Sequence, residues 1–128
     1  MTFSDAMLRI TLAAAMVVSG ISHAYLYIHG YQHIPTIGVA FVLQASVSLA
    51  VAALILIGGP GWLVWAAAMV AGGALAAFAL SRTVGLLGFS ERGWQPSPHA
   101  AVSVVAELLT VGLWVSYLVG RRRAAARG

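Results

Sequence analysis

With 61% hydrophobic and only 8% charged residues in 128, the chain has room for one domain, and a soluble fold this small cannot hide so much apolar surface when soluble domains carry about 25% charge. The absence of cysteine excludes disulfides, thiolate metal ligands and iron–sulfur clusters. The net charge of +4 is concentrated in Arg121, Arg122, Arg123 and Arg127, within the last eight positions and with no aromatic residue among them. That is the pattern of a topology signal and a contact for anionic lipid headgroups, and not of a nucleic-acid surface.

About 20 apolar residues cross a hydrocarbon core of about 30 Å, and the chain supplies that length four times, over 7–29, 35–57, 62–81 and 98–120. The expected fold is therefore all-α, an integral membrane four-helix bundle in one domain spanning residues 1–128. Ser4 and Asp5 offer a cap for the first helix. Its long apolar run and single Arg9, offset by Asp5, read as a retained helix and not a signal peptide. Pro35 opens the second span, where a missing N–H costs nothing, and Gly58-Gly59-Pro60-Gly61 breaks the chain before the third.

In the third span Ala68, Gly72 and Ala76 recur every fourth residue, with Gly73 and Ala77 alongside. This small-residue spacing lets helix backbones approach closely and is read as a packing face, within the bundle or toward another subunit. Residues 82–97 form the one long loop, an interfacial stretch over the mouth of the bundle. Arg82, at its start, either reaches in toward Glu107 and joins the intramembrane polar cluster or extends to the headgroups.

Orientation follows from the arginines. The basic tail at 121–128 belongs in the cytoplasm, and an even number of spans puts the N-terminus there too, an N-in/C-in arrangement. Trp62, Trp65, Trp114 and Tyr117 then fall near the inner interface, and Tyr25, Tyr27, Tyr31 and Trp94 near the outer one. All basic residues are arginine in a chain rich in Ala, Val and Gly, a coding habit of GC-rich bacteria. The expected location is the bacterial inner membrane.

Polar residues that lie within the spans mark the candidate site. Glu107 lies about 13 Å below the outer interface, His23 roughly 9 Å and Gln44 about 13 Å, counting 1.5 Å per helical residue. Ser19 and Ser22 accompany His23, Ser48 follows Gln44, and Ser103, Glu107, Thr110 and Trp114 share one face of the fourth helix. Buried polar groups cost free energy unless paired, so His23, Gln44 and Glu107 are expected to face one interior space. Such a cluster either fixes helix register or forms a site for protons, a metal or a small molecule. Nearer the surface, His29, His33 and His99 stand at one height and could bind copper or zinc through imidazole, or clamp a haem b between two of them. Covalent haem is excluded, since the attachment motif needs cysteine.

His23, the segment Ile34-Pro35-Thr36-Ile37-Gly38, the segment Ser81-Arg82-Thr83-Val84-Gly85-Leu86, and Glu107 together resemble a group of uncharacterised small four-helix membrane proteins of GC-rich bacteria. The resemblance covers most of the chain and implies that the His, Arg and Glu positions matter together; it implies no activity. Where that group often has proline after Gly-Leu, this chain has Leu87, which implies a different loop path.

Two functions of different class fit these readings. One is a non-catalytic accessory subunit, in contact with membrane lipid, that packs against a larger redox or transport complex or against copies of itself. The other is a self-sufficient intramembrane His/Glu site.

Overall fold

A computed structural model describes residues 3–128. Four helices, α1 (Phe3–Ile28), α2 (Ile37–Leu56), α3 (Leu63–Arg82) and α4 (His99–Ala125), make up the molecule, with a single 3-10 turn at Tyr31–His33 between α1 and α2. Each of the four is long and apolar enough to cross a membrane. At 1.5 Å per residue, the 20 residues of α2 extend for about 30 Å, and with no water in the hydrocarbon core the helix satisfies its own backbone groups.

The helices alternate in direction around a ring. α1 packs against α2 and α4, α3 closes the ring between α4 and α2, and the α2–α3 seam is the thinnest of the four. One end of the bundle therefore holds the start of α1, the end of α4 and the turn after α2; this is the tail end. The other, the loop end, holds the 3-10 turn and residues 83–98.

The tail half is a packed apolar core. Leu12 and Met16 of α1, Ile55 of α2, and Leu63 and Ala67 of α3 are all nearly inaccessible, with Leu113, Trp114 and Tyr117 of α4 against them. Arg9 fastens this end: its guanidinium donates to the Ile55 carbonyl at 3.3 Å and the Gly59 carbonyl at 3.0 Å. A cation is favoured where α2 leaves carbonyls without helical partners. Gly59 is required here, because a Cβ would lie 2.5 Å from the Leu63 side chain and 2.8 Å from the Leu54 carbonyl.

α1 and α2 approach each other closely at Gly20. A Cβ on Gly20 would sit 3.0 Å from the Leu49 side chain and 3.3 Å from the Ala45 carbonyl, so a missing side chain on α1 lets α2 come near. The small-residue stripe of α3 does not act this way inside the chain, contrary to one of its two expected roles. Ala68 is buried, but a Cβ on Gly72 would meet nothing within 4 Å and Ala76 is exposed. The seam toward α2 is thin because Gly73, Ala74 and Ala77 border a cavity instead of a facing helix.

Helix ends also differ from the expected spans. α1 begins at Phe3 and stops at Ile28, before Gly30, whose φ of 151° belongs to glycine. α2 starts at Ile37, two residues past Pro35. α4 runs through Arg121, Arg122 and Arg123 to Ala125, so most of the basic tail is the last turn of a helix. Arginine propagates a helix well, and its charge complements the C-terminal end of the helix dipole.

Candidate functional site

The loop half is hollow. A cavity of about 250 Å³ lies between all four helices and beneath the 83–98 loop. Its polar wall is formed by His23 from α1, Gln44 from α2, and Ser103 and Glu107 from α4; Phe41, Phe78, Tyr31 and Phe89 supply aromatic surface. The cavity exists because α3 presents Gly73, Ala74 and Ala77 where larger side chains would fill it.

Glu107 is 2% exposed. Its Oε1 accepts the Ser103 hydroxyl, one turn back on α4, at 2.7 Å and the Ser19 hydroxyl of α1 at 3.1 Å. His23 Nδ1 lies 2.9 Å from the Ser19 carbonyl. A carbonyl only accepts, so Nδ1 carries the hydrogen and the Nε2 of a neutral ring carries the lone pair. Nε2 lies 3.9 Å from Glu107 Oε1, beyond hydrogen-bond range. The imidazole is tilted against Phe41 with ring centres 5.0 Å apart. The three-residue arrangement Ser19–Glu107–Ser103 ties α1 to α4, and His23 stands on its cavity side.

Gln44 borders the same cavity and makes its hydrogen bond elsewhere than to His23 or Glu107. Its amide nitrogen donates to the Val70 carbonyl of α3 at 3.4 Å, a long bond across the thin seam. Thr110 and Trp114, the rest of the polar stripe on α4, turn away from the site. Thr110 donates to the Ala106 carbonyl at 2.9 Å, and Trp114 packs edge-on against Trp65 at 5.1 Å.

Arg82 does neither of the two things expected of it. Its guanidinium donates to the Ser81 hydroxyl at 2.6 Å, to the Gly93 carbonyl at 3.2 Å and to the Gln95 carbonyl, and lies 4.0 Å over the Phe78 ring. Five rigid donors suit a loop that offers several carbonyls, so this arginine fastens the roof and is not turned to Glu107.

The other half of that fastening was not foreseen. Tyr31 donates its hydroxyl to Glu91 Oε1 at 2.6 Å, stacks on Phe41 at 4.4 Å and meets the edge of Phe89 at 5.7 Å. The Glu91 amide donates to the Ser81 carbonyl at 2.9 Å. Burial, followed by the hydrogen bond and negative charge of Glu91, pushes the Tyr31 phenol above its usual range. Gly38 lets the 3-10 turn rest on α2, since a Cβ there would lie 2.6 Å from the Tyr31 carbonyl. A tight turn joins Leu86 and Phe89 by backbone bonds of 2.7 and 2.8 Å. Leu87 in that turn has a φ of 51°, which a proline ring forbids, so the loop does follow a path that proline could not take.

The three surface histidines do not converge. Tyr25 stacks on His29 at 3.9 Å and on His99 at 4.0 Å. Two rings so close to a third must take its opposite faces, so a phenol fills the gap where a copper, zinc or haem iron would sit. His33 lies exposed in the 3-10 turn, and among the described residues no three His, Asp or Glu side chains are grouped to hold a metal ion. The expected trio is corrected to an aromatic stack.

Comparison with known proteins adds no relative: no family model matches the chain, and no curated protein or solved structure is similar to it.

Proposed function

We propose that this chain, in the bacterial inner membrane with its termini in the cytoplasm, binds a small amphipathic molecule in the outward-facing half of its bundle. The carrying observation is the cavity of about 250 Å³ that sets His23, Gln44 and Glu107, with Ser81 and Arg82 at its roof, among aromatic and aliphatic side chains. Ligand sites typically have this make-up, apolar walls with a few convergent polar groups. The volume decides the size of the guest. It exceeds the ~150 Å³ of a cavity that takes benzene and falls below the ~300 Å³ at which drug-sized pockets begin. A single ring with a short polar arm fits; a haem does not. The packed core of the tail half favours a closed-ended pocket over a path through the membrane.

The test is to fill the cavity without disturbing the fold. A Cβ on Gly73 would meet nothing within 4 Å, so Gly73→Phe places a ring in the empty volume. The detergent-solubilised native chain is expected to bind a one-ring probe, either 2-phenylethylamine or 2-phenylethanol, by equilibrium dialysis, and Gly73→Phe to lose that binding while keeping its helical circular dichroism. Equal uptake by both proteins would mean that the probe enters only the micelle and would end this reading.

A second reading, a non-catalytic subunit of a larger redox or transport complex, is favoured by the uncovered Gly72 and Ala76 of α3. On that reading Gly72→Leu leaves the isolated chain folded and abolishes co-purification of its neighbours in mild detergent. Unchanged co-purification would remove it.

A further inference from the structure

We infer that the guest of this cavity is a protonated amine on a small aromatic or aliphatic body, an inference that rests on the pocket reading above. Among the described residues Glu107 takes its hydrogen bonds on Oε1, leaving Oε2 without one. His23 uses its Nδ1 hydrogen on the Ser19 carbonyl, leaving the Nε2 lone pair. Gln44 uses one of its two amide hydrogens on Val70, leaving its carbonyl oxygen beside the second hydrogen.

The hydroxyl donors of the site are all engaged. The hydroxyl of Ser103 goes to Glu107, that of Ser81 to the Phe78 carbonyl, and that of Tyr31 to Glu91. Three of the five N–H groups of Arg82 are held by Ser81, Gly93 and Gln95, which ties the guanidinium to the loop. The free acceptors of Glu107, His23 and Gln44, on three helices, meet no free hydroxyl donor and select a guest that brings N–H groups of its own. A primary ammonium brings three. A quinone, a carboxylate or a phosphate brings none.

Charge points the same way. The single contact of ion-pair range that Glu107 makes among the described residues is to His23, at 3.9 Å, and the nearby arginine is committed to the loop. A carboxylate this deep in a membrane calls for a counter-charge, and an ammonium supplies it. Phe41, Phe78, Tyr31 and Phe89 line the cavity, and aromatic rings suit a cation by their quadrupoles.

The experiment compares two probes of the same size on the solubilised native chain at neutral pH, 2-phenylethylamine as the cation and 2-phenylethanol as the neutral donor, each corrected for uptake by Gly73→Phe. The amine is expected to bind at least about tenfold more tightly, the lower end of what a charge-assisted hydrogen bond contributes, and Glu107→Gln to erase that preference while the alcohol still binds. Alcohol binding as tight as amine binding in the native chain overturns the ligand class and leaves the pocket standing. So does an amine preference that survives Glu107→Gln. Failure of both probes to exceed the Gly73→Phe background overturns the pocket and this inference with it. The comparison within the native chain holds whether or not Glu107→Gln folds.

Discussion

Glu107 is a buried acceptor held by two serine hydroxyls, and substitutions there separate shape from chemistry. Glu107→Gln keeps an acceptor for Ser19 and Ser103, so thermal unfolding in detergent should shift by less than about 1 kcal/mol. Glu107→Leu strands both hydroxyls at a cost of about 1–3 kcal/mol each, reduced where a serine turns back to its own helix carbonyl; a net loss of about 2 kcal/mol is expected. Equal stability of the two variants would show that the hydroxyls do not depend on the carboxyl. Tyr31 makes a separate prediction. Its phenol titrates above the ordinary value of about 10 because it is buried and donates to Glu91. The folded chain therefore holds it neutral, and its contribution to stability is complete below that pH and lost as pH rises through the folded value. In an absorbance titration, Tyr31→Phe should remove a tyrosine that ionises above the ordinary value of about 10; loss of one that ionises at or below it would contradict the Tyr31–Glu91 bond. Depth counting along helices made His23, Gln44 and Glu107 legible in the sequence, since each is a polar residue at a predictable height. The Tyr31–Glu91 pair was not, because 60 residues separate its members and only the path of an irregular loop joins them.

The α1–α2 seam and the α3 wall show opposite uses of small residues. Gly20→Leu drives a side chain into Leu49 and the Ala45 carbonyl, and overpacking of this kind costs about 1–3 kcal/mol. Gly72→Leu, facing open space, should change stability by under about 0.5 kcal/mol. Guanidine-free thermal melts of the two variants side by side check the contrast, and equal losses would mean that α3 packs as tightly as α1. Periodicity located the small-residue stripe on α3 but could not say what it faced. Four apolar helices have weak moments in lipid, so the partner of each face is decided by tertiary packing. The loop is the element with the least apolar support, held by Arg82 and Tyr31. Arg82→Gln should speed hydrogen exchange of the Glu91 amide, now bonded to the Ser81 carbonyl, without affecting amides of α1; unchanged exchange would deny Arg82 its fastening role.

The bundle as a whole divides into a solid half and a hollow half, and the division follows from where bulk and polarity fall in the chain. Leu, Met and Ile meet at the tail end, while Gly73, Ala74 and Ala77 face serines, a histidine and a glutamate at the other. The number and approximate extent of the helices were legible because membrane spans need about 20 apolar residues, a signal that survives without tertiary knowledge. The cavity was not, because a void depends on the simultaneous facing of small residues from separate helices. The loop end is expected on the outside: a cysteine placed at Ser90 should react with impermeant thiol reagents in intact cells, and one at Gly128 should not. The decisive measurement is photolabelling of the solubilised chain with a diazirine derivative of 2-phenylethylamine, mapped by peptide mass spectrometry. Labels on His23, Phe41, Ala77 and Ser103, suppressed by excess unlabelled amine, are the expected result. Labels confined to the exposed Val39, Leu43, Met69 and Val105, and indifferent to competitor, would show that the amine stays in the lipid phase and that the hollow half binds nothing of this kind.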